Sequence, residues 1–320
     1  MTKKIGELNF KNLLKAAWVT AVLLFLAIYL YRHWSAYLAV LIRIPPVFLL
    51  VSALSLFIAK GFLALNMKFG AEYAGVSLKY LRVFYIYTIT QIAKYIPGSI
   101  WHVVGRIGFY KEAGLSNKAI RESMIIEHLY ILGSAFILGS GILFIFNYAV
   151  IIEIISKLKL LLLVPVILAA ITAVIGVIFR KYITPIVSLI IKNPVLNIKM
   201  TVLEIFIWTF LGLYFAALVF PFAPRIDYLV YYCGLFAISY FAGFIIPIAP
   251  AGIGVREAIM VIGLSPVVSV DVAITVSTLS RAVFVLVELV LSVFFIIFDR
   301  FTVLTDLATA KTIPTYREEL

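Results

Sequence analysis

Cysteine is almost missing from this chain. The 320 residues include one, Cys233, which excludes an internal disulfide and a thiolate metal cluster. It reads as a small apolar packing residue. Charge is sparse as well, at 13% of residues against about a quarter in soluble domains. Histidine is rare: His33, His102 and His128 show no metal-ligand spacing, and Glu127-His128 is not a zinc signature. The sequence has no Walker motif, no G-x-S-x-G and no H-E-x-x-H. An ATP-driven pump on this chain is therefore not expected, nor is an enzyme, a bound metal or a cofactor. No long polar stretch offers a separate soluble domain, so any chemistry would take place within a membrane or at its face.

What is abundant is apolar: 64% of residues are hydrophobic and the mean hydropathy is +1.13. This composition is that of an all-α polytopic membrane protein. The formal net charge of +12 fits cationic cytoplasmic loops and anionic lipid head groups as neighbours, not nucleic acid. One integral membrane domain is expected over residues 1–310, with 301–320 as a short cytoplasmic tail.

Two stretches interrupt the apolar pattern. Lys94-Tyr95-Ile96-Pro97-Gly98-Ser99-Ile100-Trp101-His102 leads on to Gly105-Arg106. Later, Pro247-Ile248-Ala249-Pro250-Ala251-Gly252-Ile253-Gly254-Val255-Arg256-Glu257 follows a similar course. Proline removes a backbone donor and glycine loosens φ, so neither stretch continues an ordinary membrane helix. Lipid cannot satisfy the freed backbone groups, so such a break must be buried in protein or reached by water. The spacing repeats. Pro97 to Arg106 is nine positions, as is Pro247 to Arg256, and a Gly-Leu-Ser follows each arginine by eight and seven residues. Matched interruptions in two halves are the mark of a duplicated transporter core. Repeat 1 is expected over about 10–150 and repeat 2 over about 158–300.

Taken in order, Lys3, Lys4, Lys11 and Lys15 predict a cytoplasmic N-terminus. A retained helix over 16–31 and a second over 44–66 follow, with Lys60 close enough to the cytoplasmic end to snorkel. Residues 83–110 form a first re-entrant hairpin between basic loops, because only about 15 residues precede the break. A helix over 121–146 returns. Helices over 160–179 and 200–220, a second hairpin over 228–264 and a helix over 268–298 mirror this arrangement. Of the 27 Lys and Arg, five fall in outer loops (Arg32, Arg43, Lys157, Lys159, Arg225) and five inside the membrane (Lys60, Lys94, Arg106, Arg256, Arg281). The other 17 gather on the side taken as cytoplasmic, which puts both termini there. The whole is an inverted-topology repeat of eight membrane segments in the cell membrane.

An ionisable group inside such a bundle costs about 2.5–3.5 kcal/mol on insertion scales and faces a partner or a water-filled cavity. Lys94, His102 and Arg106 flank the first break, Arg256 and Glu257 the second. Glu127 lies in the helix after the first hairpin. Arg281 and Glu288 sit seven residues apart on one face of the last helix. With the hairpin tips together, these cations and the positive ends of the half-helices would hold an anion such as a lipid phosphate. The alternative is structural: Arg256 or Arg281 pairs with Glu257, Glu288 or Glu127 and holds the bundle. Lys94 has a second option, snorkelling to the cytoplasmic face. Trp101 suits packing or an interface, and Gly133, Ser134, Gly139, Ser140 and Gly141 predict close helix packing.

Lys94 to Trp101, the following Gly105-Arg106, and Pro250-Ala251-Gly252-Ile253-Gly254-Val255-Arg256-Glu257 resemble the lysylphosphatidylglycerol synthase transmembrane-region family, the flippase-like domain. The resemblance covers nearly the whole chain. It implies an integral membrane fold with re-entrant elements and movement of lipids between leaflets. In bifunctional members the cargo is aminoacylated phosphatidylglycerol, but the soluble aminoacyl-transferase domain is missing here, so neither lysyl transfer nor that cargo is implied. The expected partners are membrane lipids with anionic head groups, with a lipid- or glycan-modifying synthase and a second copy of the chain as candidates. The rival readings are a membrane-embedded transferase using a lipid-phosphate donor, with Glu257 as its base, and a non-transporting partner of such a synthase.

Overall fold

The computed structural model describes residues 34–95, 101–157, 184, 188, 190–246 and 250–302. The helices expected over 16–31 and 160–179, and the tail beyond 302, lie outside the described residues. What is described is helical, with no strand. A short helix, α1 (Trp34–Ile42), leads to α2 (Pro46–Tyr73). Pro46 opens α2 at a position where its missing N–H has no intrahelical partner. The helix runs past its expected end at Asn66 because the next positive-φ residue, Gly75, lies only beyond Tyr73. Then come α3 (Tyr80–Ile92), α4 (Trp101–Glu112), α5 (Asn117–Lys157), α6 (Pro194–Val219), α7 (Leu229–Ile245), α8 (Val255–Leu264) and α9 (Val270–Thr302).

Among the described residues, five helices are long and apolar enough to cross a membrane: α2, the first part of α5, α6, α7 with the turn before it, and α9. The chain is thus a multi-pass membrane protein. With 41 residues, α5 spans about 60 Å, twice the hydrocarbon thickness. It outruns the expected end at 146 because neither Gly nor Pro interrupts it between Ile142 and Lys157. By contrast α4 and α8, with 12 and 10 residues, are half-helices too short to span alone.

The largest helix interface joins α2 to α6. The buried side of α2 carries the small residues Ser52, Ser55, Ala59 and Ala64 among Leu56, Leu63 and Met67, which lets the α6 side chains Leu203, Ile207, Leu211 and Phe215 seat closely. α5 meets α7 through Gly139 and Gly234. A Cβ on Gly139 would stand 2.7 Å from the Ile238 nitrogen, and one on Gly234 2.6 Å from the Ile142 Cβ. Gly133 and Gly141, expected to pack the same way, face open space, because they lie off the α7 side of the helix. The outside is apolar: Leu50, Leu54 and Phe57 on α2, Val202 and Ile205 on α6, and Leu289, Val293 and Ile296 on α9 are exposed. Meanwhile Lys60, Arg106, Glu127, Glu204, Arg256, Glu257 and Glu288 are buried. This inversion is what a lipid solvent demands.

Candidate functional site

The described arms on either side of each break lie against each other. At the first, Pro97 and Gly98 lie outside the described residues, but the arms on either side are paired. Gly105 of α4 faces Thr90 of α3, where an added Cβ would meet the Thr90 Cγ2 at 3.4 Å. Further along, the Tyr85 and Phe109 rings meet edge-on at 5.9 Å. At the second, Pro247 is outside the described residues, and Pro250–Gly252 form a 3-10 turn. Gly243 of α7 is so close to the returning strand of chain that a Cβ on Gly252 would lie 2.8 Å from the Gly243 Cα. The arms stay together down to Tyr231, whose hydroxyl donates to the Gly263 carbonyl at 2.7 Å. Ala251, Gly252 and Gly254 all have positive φ (51°, 71° and 85°), so this reversal takes place in the left-handed region that favours glycine. The turn at Ala93–Tyr95 and the turn at Pro250–Gly252 touch each other. The two hairpin tips therefore meet.

Helix α9 ties both tips. Arg281 donates to the Ala251 carbonyl at 2.8 Å, lies 5.7 Å from the Tyr95 ring centre and stands 3.8 Å from Glu257. Glu257 meanwhile accepts from the Gly254 N–H at 2.7 Å, capping its own helix. Glu288 gathers three donors: Lys94 at 2.5 Å, the Tyr95 hydroxyl at 2.7 Å and Lys60 of α2. Lys60, expected to snorkel outward, is instead 2% exposed. It lies on the inward stripe of α2, where a buried carboxylate is a better partner than the distant head groups. Lys94 likewise turns inward.

Between the tips and helices α2, α3, α5 and α7 lies a cavity of about 340 Å³. Its polar wall includes Lys60, Lys94, His102, Arg106, Glu127 and Arg256, and its aromatic wall Tyr87, Tyr240, Phe244 and Phe284. The eight ionisable residues singled out from the sequence are thus brought together: five line the cavity, and Glu257, Arg281 and Glu288 stand behind the wall, bonded to its turns.

The two arginines at matched spacing are in different states. Arg106 is the sixth residue of α4 and Arg256 the second of α8, because the extra turn at Pro250–Gly252 delays the start of α8. The Arg106 Nη1 donates to both Glu127 oxygens, at 2.8 and 2.6 Å, and both residues are buried. Arg256 is 6% exposed. Its guanidinium makes neither a hydrogen bond nor an ion pair with the described residues, and its Nε is buried without an acceptor. It rests instead among the rings of Phe236, Tyr240 and Phe284, at 5.0, 5.2 and 5.3 Å. A guanidinium does not shed its proton, so the wall holds a permanent charge that lies against ring faces.

Glu204 of α6 escaped the sequence reading. It is buried, and its Oε2 accepts from Ser134 at 2.8 Å, which in turn accepts from the Trp208 Nε1 at 2.8 Å. The Trp208 ring meets Tyr240 of the cavity wall edge-on at 5.7 Å. A lone acid within the apolar run of α6 was the signal that could have found it. No protein-family model matches this chain, and no curated protein is found similar to it.

Proposed function

We propose that this protein carries lipids with an anionic head group between the leaflets of a cell membrane, using the cavity between the hairpin tips as the head-group site. The observation that carries the reading is Arg256: a buried, permanent cation on the cavity wall that makes no ion pair or hydrogen bond with a described residue. Burying an unpaired charge is expensive, and a ligand phosphate removes that expense when it binds. The tails would remain in lipid. The matched breaks and the resemblance of both motifs to the flippase-like family support the same reading, with the hairpins as re-entrant elements of an inverted repeat and with both termini cytoplasmic. In that arrangement one repeat rocks against the other around a fixed site. Arg256 makes the main phosphate contact, Arg106 with Glu127 forms a neutralised wall beside it, and Arg281 and Glu288 hold the tips.

The test is reconstitution of the purified protein in liposomes carrying tail-labelled phosphatidylglycerol, phosphatidylethanolamine or a short polyprenyl phosphate, with dithionite bleaching as the readout. Faster access to an anionic lipid, lost in Arg256→Met, is the expected result. If no lipid moves, but a new lipid species forms when whole membranes are supplied, the transferase takes its place.

A further inference from the structure

The cavity's charge balance narrows the head group, on the assumption that the reading above holds. Three carboxylates belong to the cluster, and each accepts at least one hydrogen bond, although the Glu257 Oε1 is buried without one. Both Glu127 oxygens take Arg106, Glu288 takes two lysines and a tyrosine, and Glu257 takes its own helix end, with Arg281 nearby. The cations outnumber them. Arg256 forms no ion pair with a described residue, and Glu288 neutralises one lysine while holding two. The surplus is concentrated: Lys94 and Arg256 lie 5.0 and 5.3 Å from the centre of the same Phe284 ring. Lys94 reaches the site on a flexible four-carbon stem and makes a further 3.2 Å bond to Gln91.

We infer that the site is built for a lipid whose head ends in a phosphomonoester or pyrophosphate, and that it rejects heads bearing an ammonium group. A phosphomonoester carries about −1.5 to −2 charges at neutral pH, enough to answer both Arg256 and the second lysine. A phosphodiester carries one and leaves a cation unanswered. An aminoacylated diester adds positive charge where there is already a surplus. An arriving ammonium finds its usual partners engaged. Glu127 and Glu288 hold their own cations, Glu257, whose Oε1 lacks a hydrogen bond, faces Arg281 at 3.8 Å behind the wall, and the faces of Phe284 and Tyr240, of the kind that form cation cages elsewhere, are occupied by Arg256, Lys60 and Lys94. Phosphatidic acid and polyprenyl phosphates share the required chemistry, and separate assays distinguish them.

The experiment compares initial dithionite-bleaching rates in liposomes of neutral carrier lipid containing wild-type protein and one tail-labelled probe each: phosphatidic acid, a short polyprenyl phosphate, phosphatidylglycerol or lysyl-phosphatidylglycerol. At least one phosphomonoester is expected to move ten-fold or more faster than phosphatidylglycerol, with the lysyl lipid at the protein-free rate. Which of the two moves identifies the tail. Phosphatidylglycerol matching both phosphomonoesters, or the lysyl lipid outpacing them, overturns the inference while leaving translocation intact. No movement of any probe overturns the translocase reading and this inference with it. Lys94→Gln supplies a second check, since it removes the surplus charge and leaves Lys60 on Glu288. It is expected to shrink the preference for phosphomonoester over diester at least three-fold, and an unchanged preference overturns the role given to Lys94.

Discussion

The Arg281 guanidinium donates to the carbonyl of Ala251 at 2.8 Å, and Ala251 is the described non-glycine residue with positive φ, at 51°. An arginine of the last helix thus secures the most constrained peptide of the second break. Removing it in Arg281→Met leaves that carbonyl short of a donor, at about 1–3 kcal/mol. A drop in thermal stability in detergent is the expected outcome. Ala251→Gly should stay within about 1 kcal/mol of wild type, since relief of the left-handed strain offsets the added chain entropy. Ala251→Val should lose clearly more, because a β-branched side chain suits this φ least.

Arg106 and Glu127 stand or fall together. Arg106→Ala strands a buried carboxylate and is expected to cost about 3–5 kcal/mol, whereas the double variant Arg106→Met, Glu127→Leu recovers most of the loss. Unfolding midpoints of the three proteins measure this. A double variant as unstable as the single one would mean that Arg106 contributes more than its pair with Glu127.

Glu288 should be the most sensitive carboxylate of the cluster. Glu288→Gln leaves Lys60 and Lys94 facing each other without an anion, and a loss of about 3–5 kcal/mol is expected. Adding Lys60→Met to that variant removes the repulsion between the two lysines and leaves one unpaired cation, so it should restore part of the stability, as read by the same midpoints.

Gly243 tests how closely the second hairpin must fold. An added Cβ there would stand 2.4 Å from the Arg256 Cγ, so Gly243→Ala must displace the Arg256 side chain. Lipid movement is expected to fall as far as in Arg256→Met. Gly133→Ala, at a position with nothing within 4 Å, should leave transport unchanged.

The breaks were legible because proline and glycine act through their own backbone chemistry, which needs no knowledge of neighbours. Arg106, Glu127, Arg256 and Glu288 were legible as ionisable groups in apolar runs. Their pairings were not. Glu288 and Lys60 are separated by 228 residues, and no local pattern says which inward cation meets which acid. Lys60 was misjudged for a related reason: distance along the helix made snorkelling plausible, while its position on the buried stripe decided otherwise. Equal spacing of the arginines also concealed unequal roles, because the positive-φ turn before α8 moves Arg256 a full turn nearer its helix start than Arg106.

Helix α9 grips the first hairpin with Glu288 and the second with Arg281, seven residues apart on one face. The two tips therefore have a common handle. Rolling α9 by a fraction of a turn would slacken both grips together, so a single moving rod suffices to unlatch the cavity from its two ends, and no separate signal need pass from one half of the protein to the other.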